Sequence, residues 1–210
     1  MPPFPEDITT GPCDIDANTL SNLGPLRDLA GIWQGSRGPD VNAESEEPNK
    51  QACVERIELQ PIDPQTHGPQ LLYGLRYHTQ IVEPDEAETY HDQVGYWLWE
   101  PATSTVIHTL TIPRAQIVMA VGRADADAKQ FELVATRDSE SLGVGSTPFL
   151  EYAVNTLEFR IRVTINPNGT WSYEEDKLLM IRGGDQPFHH IDRNTLTRIA
   201  APTPNPLARK

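Results

Sequence analysis

Thr89-Tyr90-His91-Asp92-Gln93-Val94-Gly95-Tyr96-Trp97-Leu98-Trp99 is the stretch on which the reading of this chain turns. In an extended strand, residues two apart share a face. That period sets His91, Gln93, Gly95, Trp97 and Trp99 on one side and Asp92, Val94, Tyr96 and Leu98 on the other. An imidazole, a residue without a side chain and two indoles on one face describe a cavity wall. An edge strand with its histidine in solvent and ordinary aromatic packing produces the same pattern, so the neighbouring segments have to decide.

Those neighbours are strands too. Leu71 to Val82, carrying Tyr73, Tyr77 and His78, precedes the stretch and closes at Glu83-Pro84-Asp85-Glu86. Val106 to Ile112 and Ala115 to Arg123 follow it, separated by Pro113-Arg114. Ala52 to Gln60 alternates, Cys53, Glu55, Ile57 and Leu59 falling opposite Val54, Arg56, Glu58 and Gln60. Phe131 to Arg137 and Leu150 to Thr164 read as further strands, joined by a glycine-bearing connection from Leu142 to Pro148. Asn166-Pro167-Asn168-Gly169 is a hairpin turn with the Asn-Gly signal, and Thr170 to Arg182 is its returning arm. Gly31 to Gly38 opens the series, and the latter half of Phe188 to Ile199 closes it. Leu20, Leu23, Leu26 and Leu29, broken by Gly24-Pro25, predict one or two short helical turns able to plug a barrel end.

Hairpin-length connections and almost no helix predict an all-β fold, an antiparallel up-and-down β-barrel of about ten strands with a short N-terminal helical turn. Such a barrel encloses room for a small ligand. The expected division is an extended tail over residues 1–20, the barrel over 21–201 and a frayed tail over 202–210, with an acidic loop from Val41 to Asn49.

Composition narrows the function classes. The 38% hydrophobic content, with four Trp, six Tyr and five Phe, supports the core of one domain. Thirty acidic residues against 17 Lys and Arg give a net charge of −13, which leaves no basic face for nucleic acid or an anionic membrane. No apolar run reaches the roughly 18 residues of a membrane span. Met1 to Asp7 has neither the basic nor the apolar region of a secretory signal. Cys13 and Cys53 lack C-x-x-C partners, so two free thiols in a cytoplasmic monomer or homodimer are expected. Asn168-Gly169-Thr170 matches a glycosylation sequon but reads as the hairpin turn.

Nucleotide-binding glycine motifs, a G-x-S-x-G elbow, H-E-x-x-H and paired cysteines are all absent from the sequence. Six histidines remain. His67 belongs to a Pro/Gly loop facing solvent; His78 and His108 lie on strands, as packed wall residues or as ligands. His189-His190 is more informative, because a strand turns adjacent rings to opposite faces and sends one inward. Imidazole is the usual axial ligand of haem iron, and a second histidine on another wall tunes what binds opposite it.

Taken together, these segments resemble the nitrobindin family of haem-binding β-barrels, related in shape to lipocalins and fatty-acid-binding proteins. Leu29-Ala30-Gly31-Ile32-Trp33-Gln34-Gly35 resembles that family's L-x-G-x-W-x-G opening, and His91-Asp92-Gln93-Val94-Gly95-Tyr96 its H-x-E-x-G-Y strand. Pro187-Phe188-His189-His190-Ile191 resembles the P-H-L segment that supplies its proximal ligand. The three motifs occur in the family's order, over roughly residues 22 to 200.

The resemblance implies haem b as cofactor, its iron held by His190, with His189 as the alternative one register away. It makes His91 the distal histidine and places Trp33, Gln93 and Gly95 in the cofactor-binding set. It further implies a barrel that binds nitric oxide or isomerises peroxynitrite to nitrate, with Trp97, Trp99, Leu110 and Met119 as the water-excluding wall. The chain departs from the pattern at Gln93, where the family has glutamate, at Gly35-Ser36-Arg37-Gly38, at the 41–49 loop and at the insertion over 142–149. A reading from another class is a non-enzymatic carrier of a fatty-acid-like or other apolar molecule, with Arg114, Arg123 or Arg162 pairing a carboxylate. A third is an interior filled by side chains.

Overall fold

The computed structural model describes residues 5–37, 53–82, 89–137 and 143–209. The expected acidic loop from Val41 to Asn49 and the closing Glu83-Pro84-Asp85-Glu86 lie outside them. The chain enters through helix α1 (Thr19–Asn22) and a 3₁₀ turn, Gly24–Leu29. It continues through β1 (Gly31–Arg37), β2 (Cys53–Pro61), β3 (Gln65–His67), β4 (Gln70–Val82), β5 (Thr89–Glu100), β6 (Thr105–Ile112), β7 (Gln116–Arg123), β8 (Gln130–Thr136) and β9 (Val144–Gly145). Helix α2 (Pro148–Ala153) leads into β10 (Val154–Ile165), β11 (Trp171–Ile181) and β12 (Phe188–Ala200).

Ten of these strands form a closed antiparallel meander in which β12 returns to pair with β1, and β2 pairs with β4. The remaining two, β3 and β9, are short additions against β4 and β7. Closure removes the sheet edges, which suits consecutive strands joined by tight turns. At the β10–β11 hairpin Gly169 takes φ +80, the left-handed conformation that the Asn-Gly signal announces. No helix among the described residues is long and apolar enough to cross a membrane.

One end is plugged as the leucine spacing predicts. Leu23, Leu26 and Leu29 are fully buried, and each stabilises the fold by roughly 1.5–3 kcal/mol. Gly24 (φ +54) lies flat on the Trp99 ring, where an added Cβ would fall 2.5 Å from the indole. The Trp33 indole donates to Leu29 O at 2.7 Å, and the Arg198 guanidinium covers its ring at 4.5 Å. Trp99 therefore belongs to the plug.

Three local expectations are corrected. Leu150 to Ala153 is helix, because Thr147 Oγ1 accepts from Leu150 N and Pro148 occupies the first turn, a standard helix start. Met119 is exposed on the outside of β7, since Val118 and Ala120 are the inward positions of that strand. The C-terminal segment is docked, with Asn205 fully buried between the N-terminal segment and Asp63. Neither cysteine forms a disulfide.

Candidate functional site

Above the plug the barrel is hollow. A cavity of about 540 Å³ is lined from all sides by inward-facing strand positions. Ile57, Trp97, Leu110, Phe159 and Ile161 supply apolar wall; Arg114, from the tight β6–β7 turn, and Leu150 of α2 also reach the lining.

Strand parity settles the two adjacent histidines. His190 lines the cavity with 17% of its side chain exposed, whereas His189 points outward, 59% exposed, with Nδ1 3.0 Å from Asp176. His91 and Gln93 line the cavity from β5. Between β5 and β12 lie three barrel strands on one side and five on the other, so His91 and His190 stand on nearly opposite walls. His78 faces outward, with Nε2 3.1 Å from Asp92, and His67 is exposed on β3.

Two other residues of the expected set stand elsewhere. Trp33 is buried behind Trp171, ring edge against face at 6.2 Å, and it is Trp171 that lines the cavity. Gly95 serves strand packing: an added Cβ would fall 1.9 Å from Thr109 O and 3.0 Å from the Tyr77 ring. Arg162 is committed outside the barrel to Glu132 and Glu174.

The cavity is more polar than the sequence reading expects. Glu55 is buried, accepting from the Tyr173 hydroxyl at 2.8 and 2.9 Å and from Asn194 Nδ2 at 2.6 Å. Lys177 Nζ lies 2.5 Å from Glu175 and 2.9 Å from Asp192, and Asp192 Oδ2 is 3.3 Å from His190 Nε2. Burial works to lower the Lys177 pKa, but the two carboxylates outweigh it and hold the ammonium above its ordinary range. On the opposite wall His91 Nε2 lies 3.2 Å from Gln93 Oε1, and Gln93 Nε2 donates to the Tyr77 hydroxyl at 2.7 Å. Tyr77 Oη is 2.9 Å from His108 Nε2. Burial raises the Tyr77 pKa well above the ordinary value and pushes His108 down to about 3, so both are neutral.

Glu55, Lys177, Asp192 and His108 carry no motif. The signal was parity: Glu55 shares a face with Ile57 and Leu59, and Asp192 shares one with His190.

Residues 22–198 match the family model described as a THAP4-like, heme-binding beta-barrel domain. Among solved structures, the crystal structure of Rv2717c from M. tuberculosis is similar in fold, with a TM-score of 0.58 and 21% identity over 88% of this chain and 99% of that one. A search of curated proteins returns no match. With the family model covering most of its length and a ten-stranded barrel enclosing a histidine-bearing cavity, the chain belongs to the THAP4-like haem-binding β-barrel domain family.

Proposed function

We propose that the cavity holds haem b with its ferric iron ligated by His190 and His91 on the distal side, and that the protein binds nitric oxide or isomerises peroxynitrite to nitrate. The observation that carries this reading is the placement of His190 and His91 on facing walls of one cavity. The volume, about 540 Å³, lies within the roughly 300–1,000 Å³ of small-molecule sites. The donor set fits the group, since imidazole is a common axial ligand of haem iron. Glu175 and Asp192 add negative charge near His190, partly offset by Lys177, and such charge favours ferric over ferrous iron.

When bound, haem supplies the iron centre at which a small nitrogen oxide is held. The chain's own contribution is a ligand from one wall, exclusion of water by Trp97, Leu110 and Phe159, and the fixing of His91 by Gln93 on the other wall. Gln93 meets His91 through Oε1, and its uncharged carboxamide also donates to Tyr77, which a glutamate could not do when ionised.

The test is a haemin titration followed by absorbance, with wild type, His190→Ala and His189→Ala. Saturable one-to-one binding is expected, lost in His190→Ala and kept in His189→Ala. Absence of saturable binding by the wild type overturns the haem reading. The carrier reading then stands on Arg114 as partner for a ligand carboxylate.

A further inference from the structure

At the end opposite the plug, the cavity is bordered by the start of β5, the start of β12 and the β6–β7 turn. Thr111 pairs with Val94, so the residues that follow Ile112 stand level with the start of β5, where His91 lies. The turn is tight. Ala115 N donates to Ile112 O at 3.0 Å, Pro113 takes the position whose φ its ring presets, and Ala115 closes the loop at φ +55. Arg114 at its tip is thereby held over the rim, exposed to solvent and part of the cavity lining. It makes no hydrogen bond, ion pair or ring contact with any described residue. Lys177, the other Lys or Arg of the lining among the described residues, is taken by Glu175 and Asp192. Arg137 is bound to Glu151 at 2.9 Å and to Thr156 O at 2.8 Å, and Arg182 lies over the Tyr152 ring at 3.7 Å. Arg123 pairs with Thr105, at the plugged end.

Haem brings two carboxylates with its iron, and the interior of this cavity is unfavourable to both. Its charged lining holds Glu55, Glu175 and Asp192 against one lysine that is already matched twice, and Trp97, Leu110 and Phe159 are apolar. A propionate placed there loses its water and meets like charge. At the rim it keeps its water and gains a guanidinium whose fork matches a carboxylate. We infer that Arg114 pairs with a haem propionate, setting the carboxylate edge of the haem at the β6–β7 turn and the apolar edge inward. This rests on the haem reading and adds to it a second point of attachment. With His190 on the iron and Arg114 on the edge, the ring loses its freedom to turn about the iron–histidine bond.

The experiment titrates haemin and haemin dimethyl ester, whose carboxylates are capped, into the full-length wild type, Arg114→Gln and Arg114→Lys, followed by absorbance. Haemin is expected to bind Arg114→Gln roughly three- to tenfold more weakly than wild type, as suits a charge-assisted pair that solvent still reaches. Arg114→Lys is expected to recover part of the loss, and the ester to bind all three proteins alike. The haemin difference is expected to shrink in 1 M salt, where the screening length is about 3 Å. Because Arg114 contacts no described residue, urea midpoints of the variants are expected to match wild type, which separates weaker binding from a folding defect. Equal haemin affinity in wild type and Arg114→Gln would overturn the inference and leave the haem reading standing. A loss of the same size with the ester would do the same, since the arginine would then act elsewhere than on the propionates. A wild type that takes up no haemin overturns the haem reading and this inference with it.

Discussion

Lys177 Nζ lies 2.9 Å from Asp192 Oδ2 and ties β11 to β12 from inside the barrel. Its second partner, Glu175, is on its own strand. Removing the ammonium leaves two carboxylates facing one another in a confined space. Lys177→Met is therefore expected to lower stability by about 3 kcal/mol, the low end of the roughly 3–5 for breaking a buried pair, because a quarter of the lysine side chain is still exposed. Urea unfolding at pH 7 checks this, and a loss below about 1 kcal/mol would mean that the pair behaves as a surface ion pair. Since the folded-state lysine pKa is raised, the contribution is complete below pH 10.5 and is lost as pH rises through the raised value.

His108 gives the opposite dependence. Burial holds its folded-state pKa at about 3 against an ordinary 6.5, so the unfolded chain takes up a proton that the native ring refuses. Its contribution is complete above pH 6.5 and declines as pH falls toward 3, by about 1.4 kcal/mol per pH unit. His108→Gln removes the titration. Unfolding midpoints measured from pH 7 to pH 4 are expected to fall less steeply for this variant than for wild type, and equal slopes would show that other groups govern acid stability.

The fold was largely legible because alternation and turn chemistry act locally. The leucine spacing before Gly31 announced the plug, the Asn-Gly turn announced the β10–β11 hairpin, and the His91 stretch announced its inward face. The N-cap of α2 escaped because Leu150-Glu151-Tyr152 alternates apolar and polar residues as the strand after it does, and periodicity over four residues does not separate strand from helix. Met119 falls on the outer face because alternation alone leaves open which parity of β7 points inward, and Val118 and Ala120 take that side. The site was half legible. His91, Gln93 and the His189-His190 pair stood out as residue types, whereas Glu55, Lys177 and Asp192 become neighbours only once β2, β11 and β12 close around the cavity. Gly95 was noticed for a sound reason and given the wrong beneficiary, since the space it leaves is taken by the backbone of β6.

That last point is directly testable. In Gly95→Ala the new methyl group would stand 1.9 Å from Thr109 O, an atom held by strand pairing. The strand must shift, and a loss of 3 kcal/mol or more is expected, at or above the upper end of the ~1–3 typical of overpacking. Because the methyl group meets β6 rather than the cavity, stability measured by urea unfolding is expected to fall whether or not haemin is present. A variant of wild-type stability with a weakened haemin titration would return Gly95 to the cavity wall.

Asn205 holds the two chain ends together at the plugged end of the barrel. Its Oδ1 accepts from Thr19 N at 3.1 Å, while its Nδ2 donates to Ala17 O at 2.7 Å and to Asp63 Oδ1 at 2.8 Å. Asp63 Oδ1 also accepts from Leu207 N at 2.9 Å, so the side chain sits in a network in which every partner is main chain or carboxylate. Asn205→Ala strips partners from Thr19 N and Ala17 O in a fully buried place, and leaving such groups unsatisfied costs about 1–3 kcal/mol. The thermal midpoint is expected to fall accordingly, and carboxypeptidase is expected to trim the last residues of the variant faster than those of the wild type. Faster trimming without a fall in midpoint would show that the latch orders the tail alone; a fall in both ties it to the plug, because helix α1, which Thr19 begins, leads directly into Leu23 and the 3₁₀ turn that carries Leu26 and Leu29 into the barrel end.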